Sequence, residues 1–141
     1  MGIIDHPLLD VRFTAAQGLG AKRNGKAIQI KDQDDAAPPI VMVTAPENFA
    51  KVQKMDTFCS LATQFPNMRI YRDCFAHSCV LQGSAAAMVD WHARLWDVSV
   101  AEAITREAGG AYERLGGPED RYQVVFGRPK VVAAIAALGK D

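Results

Sequence analysis

The 141-residue sequence has no net charge, no long apolar run and no paired pattern of cysteines, and each absence excludes a class of function. Its 16 Lys and Arg residues balance 16 Asp and Glu residues. Without a basic run or stripe it lacks the electrostatic footprint of a nucleic-acid binder, and nothing draws it to an anionic membrane. Its apolar runs fall far short of the ~20 residues that a membrane-spanning helix needs. Met1 to Asp5 lacks the basic start and long apolar core of a signal peptide. Three cysteines, Cys59, Cys74 and Cys79, make an odd count without metal-ligand spacing. The expectation is three reduced, mostly buried thiols in a cytoplasmic protein. Cys74 and Cys79 share an expected helix but lie five apart, on different faces. His6, His77 and His92 are scattered, and no pair has metal-ligand spacing. Gly116-Gly117-Pro118 is a turn, because no helix start with Lys-Ser or Lys-Thr follows it as in a phosphate loop. No internal repeat or low-complexity segment is present.

Apolar residues make up 49% of the chain and charged ones 23%, which suits one globular domain with a real core. Gly2 to Ile30 reads as a β ribbon, with strands at Ile3-Ile4, Val11 to Ala15 and Ala27 to Ile30 and an Asn24-Gly25 hairpin turn. Lys31 to Pro39 reads as a solvated linker carrying Asp32, Asp34 and Asp35. A subdomain boundary is expected there, with a β ribbon over 1–36 and an α/β unit over 37–141. Strands are expected at Ile40 to Thr44, Met68 to Tyr71, Ala86 to Asp90, Ala111 to Arg114 and Gln123 to Phe126. Helices are expected at Glu47 to Gln64, with Phe49, Val52, Met55, Cys59 and Ala62 in its apolar stripe, at Cys74 to Gln82, and at Pro129 to Leu138. The alternation predicts an α/β fold: a mostly parallel sheet flanked by helices, preceded by the antiparallel ribbon.

The most informative stretch is Trp96 to Gly110. Val100, Ala101, Ile104 and Ala108 form one apolar stripe. Asp97 can cap the first amides, and Gly109 or Gly110 can end the helix in the left-handed conformation. Trp96, Asp97, Ile104, Glu107, Ala108, Gly109 and Gly110 also match a Trp-Asp-x-Ala-Ala-Gly…Glu-Ala-Gly-Gly signature. In this the chain resembles the inositol monophosphatase family, metal-dependent phosphatases of small phosphate esters. Gly2-Ile3-Ile4, Pro7, Phe13-Thr14-Ala15, Gly18, Gly20-Ala21 and Asn24-Gly25-Lys26 match the family in order, and Val124 to Pro129 is similar to its closing strand. The resemblance covers nearly all of this chain but only the C-terminal half of a usual member. It implies the C-terminal half of an αβαβα fold and a small phosphorylated metabolite as substrate.

Four residues are candidates for the chemistry. Asp97 reads from helix physics alone as a cap; the resemblance makes it a ligand of catalytic Mg²⁺, a hard cation that takes oxygen ligands. Asp90 reads as an exposed strand-end acid; the resemblance implies contact with a substrate hydroxyl. Asp73 reads either as a helix cap or as an acid facing the pocket. Asp73-Cys74 followed by Phe75 is similar to the histidinol-phosphatase branch, which implies an amine- or imidazole-bearing substrate. Arg72 replaces the family's small residue, where it crowds the pocket or adds a phosphate contact. Trp91 and Trp96 are expected in core and rim packing.

The resemblance also shows what is missing. The family's Asp-Pro-x-Asp-Gly-Thr motif and the Glu before it, which supply most metal ligands, do not occur here. No complete catalytic set is expected, and Asp97 alone binds metal weakly. An open sheet edge and apolar surface are expected near Met1, where a complementing N-terminal chain or a second copy can pair. The expectations are therefore a half phosphatase, inactive alone, a non-catalytic module that self-associates, or a truncated product with no independent role.

Overall fold

The computed structural model describes residues 1–34 and 36–139; Asp35, one of the acids read into the linker, lies outside the described residues. The first layer is a four-stranded antiparallel sheet in sequential order: β1 (Gly2–His6), β2 (Val11–Ala15), β3 (Ala21–Arg23) and β4 (Lys26–Ile28). Asn24 and Gly25 have φ of 47° and 78°, as a two-residue type I′ turn requires. β3 has no counterpart among the expected strands, since Ala-Lys-Arg contains no β-branched or aromatic residue.

The second sheet has the order β6-β5-β7-β9-β8. Its strands and the helices run β5 (Val41–Val43), α1 (Pro46–Lys51), α2 (Met55–Gln64), β6 (Met68–Ile70), α3 (Asp73–Leu81), β7 (Ala87–Ala93), α4 (Leu95–Glu107), β8 (Ala111–Gly116), β9 (Tyr122–Gly127) and α5 (Pro129–Gly139). β5 is parallel to β6 and β7, whose connections are helical crossovers. β9 is antiparallel to β7 and β8; for β8 and β9 the short turn that joins them allows nothing else. The sheet is therefore mixed.

The helix expected over 47–64 is two helices. The Lys54 amide bonds the Phe49 carbonyl at 2.9 Å and the Gln53 amide bonds Ala50 at 3.1 Å, a Schellman end to α1. Gln53 takes the left-handed residue's place at φ 57°. A glycine normally marks that place, so the sequence carries no signal for the break. The break also resets the helical phase. Met55, Cys59 and Ala62, expected in the stripe, are exposed, and Thr57 and Leu61 are buried instead.

Alternate residues of β7 feed two cores. Met88 joins Ile4, Phe13, Ala101, Ile104 and Phe126 in a core between the two sheets. Ala87, Val89 and Trp91 join Phe49, Leu61, Val132 and Ile135 on the far side, beneath α1, α2 and α5. Trp91 lies in the core and Trp96 on the surface, as expected. Two glycines are demanded by close approach. A Cβ on Gly127, at φ 142°, would lie 2.2 Å from the Ala86 carbonyl oxygen, and one on Gly110 would lie 2.9 Å from that of Gly127. Gly127→Ala combines strain with a backbone clash, so a loss of about 3 kcal/mol or more is expected in urea unfolding.

Candidate functional site

A cleft of about 310 Å³ opens between β1 and the first turns of α3 and α4. Asp73, Cys74 and His77 line it from α3, Trp96 and Asp97 from α4, and Asp5 from β1. Of the four expected site residues, Asp73 and Asp97 come together here; Asp90 and Arg72 do not line the cleft.

Asp97 is not the cap. Arg94 holds that position and Leu95 opens the helix. Asp97 sits one turn in, and its Oδ2 accepts the Arg94 amide hydrogen at 2.8 Å, the acidic half of a capping box. Its side chain remains exposed at the cleft. Asp73 is no cap either: Arg72 holds the cap position of α3 and Asp73 is the helix's first residue. It holds φ 60°, a conformation that Asp tolerates better than most residues but at a cost of roughly 1 kcal/mol. Its carboxylate has no hydrogen-bond partner among the described residues.

Asp90 lies within β7 rather than at an exposed strand end, because β7 runs on to Ala93 through a bulge. It is 7% exposed, and its Oδ2 meets His77 Nε2 at 3.1 Å. Arg72 turns to α1, where its guanidinium donates to Glu47. Cys74 and Cys59 are exposed and only Cys79 is buried, so the thiols are free but not mostly buried. Helix phase explains the pair Cys74 and Cys79; for Cys59 the cause is the phase reset after Gln53.

Two residues with no expected role emerge. His77 lies one turn after Asp73 on the same face of α3, and that four-residue spacing was its only sequence signal. Glu107 ends α4, where its Oε1 accepts the Gly18 amide and its Oε2 the Gly20 amide, both at 3.0 Å. It clamps the β2–β3 turn to the helix. Asp5 is gripped by Arg12 at 2.9 and 3.2 Å. That hydrogen bond holds the Asp5 carboxyl below its ordinary value.

Asp97 and Asp73 offer the hard oxygens that Mg²⁺ takes, yet among the described residues no group of three or more His, Cys, Asp or Glu is placed to hold a metal. Mg²⁺ is usually held by one or two carboxylates together with waters and substrate phosphate, and Asp97 and Asp73 are the cleft residues that could contribute to such a set.

The layered α/β fold and a cleft at a helix start define the class of protein. The model of the inositol monophosphatase family matches residues 1–138, and the chain belongs to that family. It is 27% identical over 141 residues to the histidinol-phosphatase of Chlorobaculum parvum, covering 100% of this chain and 53% of that protein. It is also 27% identical over 141 residues to a fructose-1,6-bisphosphatase/inositol-1-monophosphatase of Aquifex aeolicus, covering 98% and 51%. An inositol monophosphatase structure from Zymomonas mobilis superposes with a TM-score of 0.85 at 16% identity, over 99% of this chain and 56% of that one. The chain thus spans about half the length of the relatives it matches.

Glu107→Ala removes a charged acceptor from two amides, and a loss of about 2–3 kcal/mol is expected in urea unfolding. Asp5, by contrast, tests the local electrostatics. Its folded value is depressed, so the Arg12 pairing stabilises the fold above the ordinary carboxylate range and is lost as pH falls through the folded value. NMR titration of Asp5 should show a midpoint below 3.8 that rises in Arg12→Ala.

Proposed function

We propose that this chain is the cleft-forming half of a Mg²⁺-dependent phosphate monoesterase that turns over only when an N-terminal half completes the metal set. The position of Asp97 carries the reading: an exposed carboxylate at a helix start, in a cleft that also holds Asp73. Asp97 would supply one oxygen ligand to the metal, whose chemistry is to polarise the phosphate and activate water. Asp73 would face the organic part of the substrate. Asp90 would act through His77, and Arg72 would reach a phosphate only by leaving Glu47. Asp73-Cys74 tilts the substrate towards histidinol phosphate over inositol phosphate, and the likeness to a protein named histidinol-phosphatase supports that choice. Residues 1–36 would be the platform on which the missing half docks against 37–141. Three free thiols support a reducing compartment, the cytoplasm.

A second reading is a binding module that self-associates without turnover. The exposed apolar residues Ile3 on β1, Leu8 between β1 and β2, and Leu19 in the β2–β3 turn favour it.

Phosphate release with Mg²⁺ separates the two. From histidinol phosphate or inositol phosphate, the chain alone should release none. Mixed with the N-terminal half of a family phosphatase it should turn over, and Asp97→Asn should cut that rate by about a hundredfold or more. Turnover by the isolated chain that Asp97→Asn abolishes would overturn the incompleteness. A stable homodimer that stays inactive in the mixture would favour the binding module.

A further inference from the structure

The bulge near the end of β7 holds an imidazole in a strained setting. His92 breaks the register between Trp91 and Ala93 and has φ 69°, a conformation that persists only where the surroundings impose it. Its ring faces Arg121, at the end of the loop that joins β8 to β9. Arg121 Nε donates to His92 Nε2 at 3.1 Å. A guanidinium only donates, so Nε2 is the nitrogen without the proton. In the neutral ring the proton is then on Nδ1, which is buried without a hydrogen-bond partner. Arg121 is the polar partner that the structure gives this ring among the described residues.

The contact continues beyond Arg121. Arg121 Nη1 donates to Asp120 Oδ2 at 3.0 Å, and the same oxygen accepts from Arg94 Nη1 at 3.0 Å. Arg94 holds the cap position of α4. Its guanidinium lies 5.5 Å over the Trp96 ring, a wall of the cleft. A chain of side chains therefore runs from β7 through the loop to the first turn of α4. The Arg94–Asp120 pair is 37% and 66% exposed, and exposed ion pairs hold little by themselves. Arg121 is the sheltered member at 22%, and its bond to His92 is what ties the loop to the sheet.

That bond depends on the charge of the ring. A protonated imidazole donates from both nitrogens. Its Nε2 then cannot accept, and the ring sets a second cation against Arg121. Imidazole is the side chain whose charge ordinarily changes between about pH 5 and pH 8. The neighbouring groups are engaged elsewhere. Asp120 is already shared by two arginines, and Glu119 makes no ion pair among the described residues. Asp97 accepts the Arg94 amide, Asp90 pairs with His77 and Glu47 of α1 with Arg72. Tyr122 of β9 lies under Arg114.

We propose that His92 and Arg121 form a pH-operated latch. The neutral ring holds the β8–β9 loop and, through Asp120, the cap residue of α4; protonation of the ring releases both. The latch is closed at high pH and open at low pH. It stands whether or not the chain is part of a phosphatase, and it couples proton concentration to one wall of the cleft.

The test is an NMR titration of the ¹³C,¹⁵N-labelled chain from about pH 8 to about pH 5. At the upper end His92 should be the Nδ1–H tautomer, with Arg121 Nε–H protected from exchange. As the ring protonates, the amides of residues 117–121 and the Trp96 indole should shift with the midpoint of the His92 ring itself. Exchange of Arg121 Nε–H, corrected for the intrinsic effect of pH, should speed up about tenfold. His92→Gln supplies an acceptor that does not titrate, and the chain already holds a glutamine at positive φ at Gln53. It should abolish the loop's pH step while His6 and His77 titrate as before. Arg121→Leu should abolish the step at Trp96 while His92 still titrates. An Nε2–H tautomer in the neutral parent, a loop that does not follow the His92 midpoint, or a step that survives either substitution would each overturn the latch. Should a variant fail to fold, the parent chain's tautomer and the coincidence of its midpoints decide.

Discussion

Helix α4 is pinned between two sheets, and the cleft depends on that constraint. Ala101 and Ile104 have no exposed surface, and the core they join takes Ile4 and Phe13 from one side and Met88 and Phe126 from the other. Small residues make the close approach possible: a Cβ on Gly2 would lie 3.2 Å from Val100. With both flanks packed, the helix cannot slide or rotate. Its first turn therefore presents Asp97 beside β1, and its last turn presents Glu107 to the β2–β3 turn. The conspicuous acids of the stretch thus divide the labour. One faces the cleft and the other holds the first sheet to the helix.

The same packing sets what α3 contributes. Asp73 enters the helix in a left-handed conformation and stays unpaired, while His77, one turn later, is locked from behind by Asp90. The acid to which the family resemblance gives a substrate contact is hydrogen-bonded to that imidazole. Around it the cleft collects acceptors, and the nearby cations are bound elsewhere: Arg12 to Asp5, Arg72 to Glu47, Arg94 to Asp120. Their pairing leaves the cleft's field negative at short range.

Much of the fold was legible along the chain. β2 and α5 were readable from periodicity and from a proline in the first helical turn, and the β3–β4 turn from Asn24-Gly25. What misled the reading was local conformation held by residues that do not advertise it. Gln53 ends α1 where glycine is usual, so two helices read as one and the buried face of the second was misplaced. β3 lacks strand-like residues and exists because β2 and β4 pair with it. Arg94 took the cap position that Asp97 was expected to hold, since β7 runs further than its apolar residues indicated.

By itself the sequence determined the layered α/β class and the family, because spacing and glycine placement are written in chain order. Only the tertiary structure decided which acids share a space. It turned Asp90 onto His77, drew Arg72 away to Glu47, and gave Glu107 to the amides of Gly18 and Gly20. Those outcomes depend on which side chains meet across elements 13 to 89 residues apart, and no local pattern encodes such meetings.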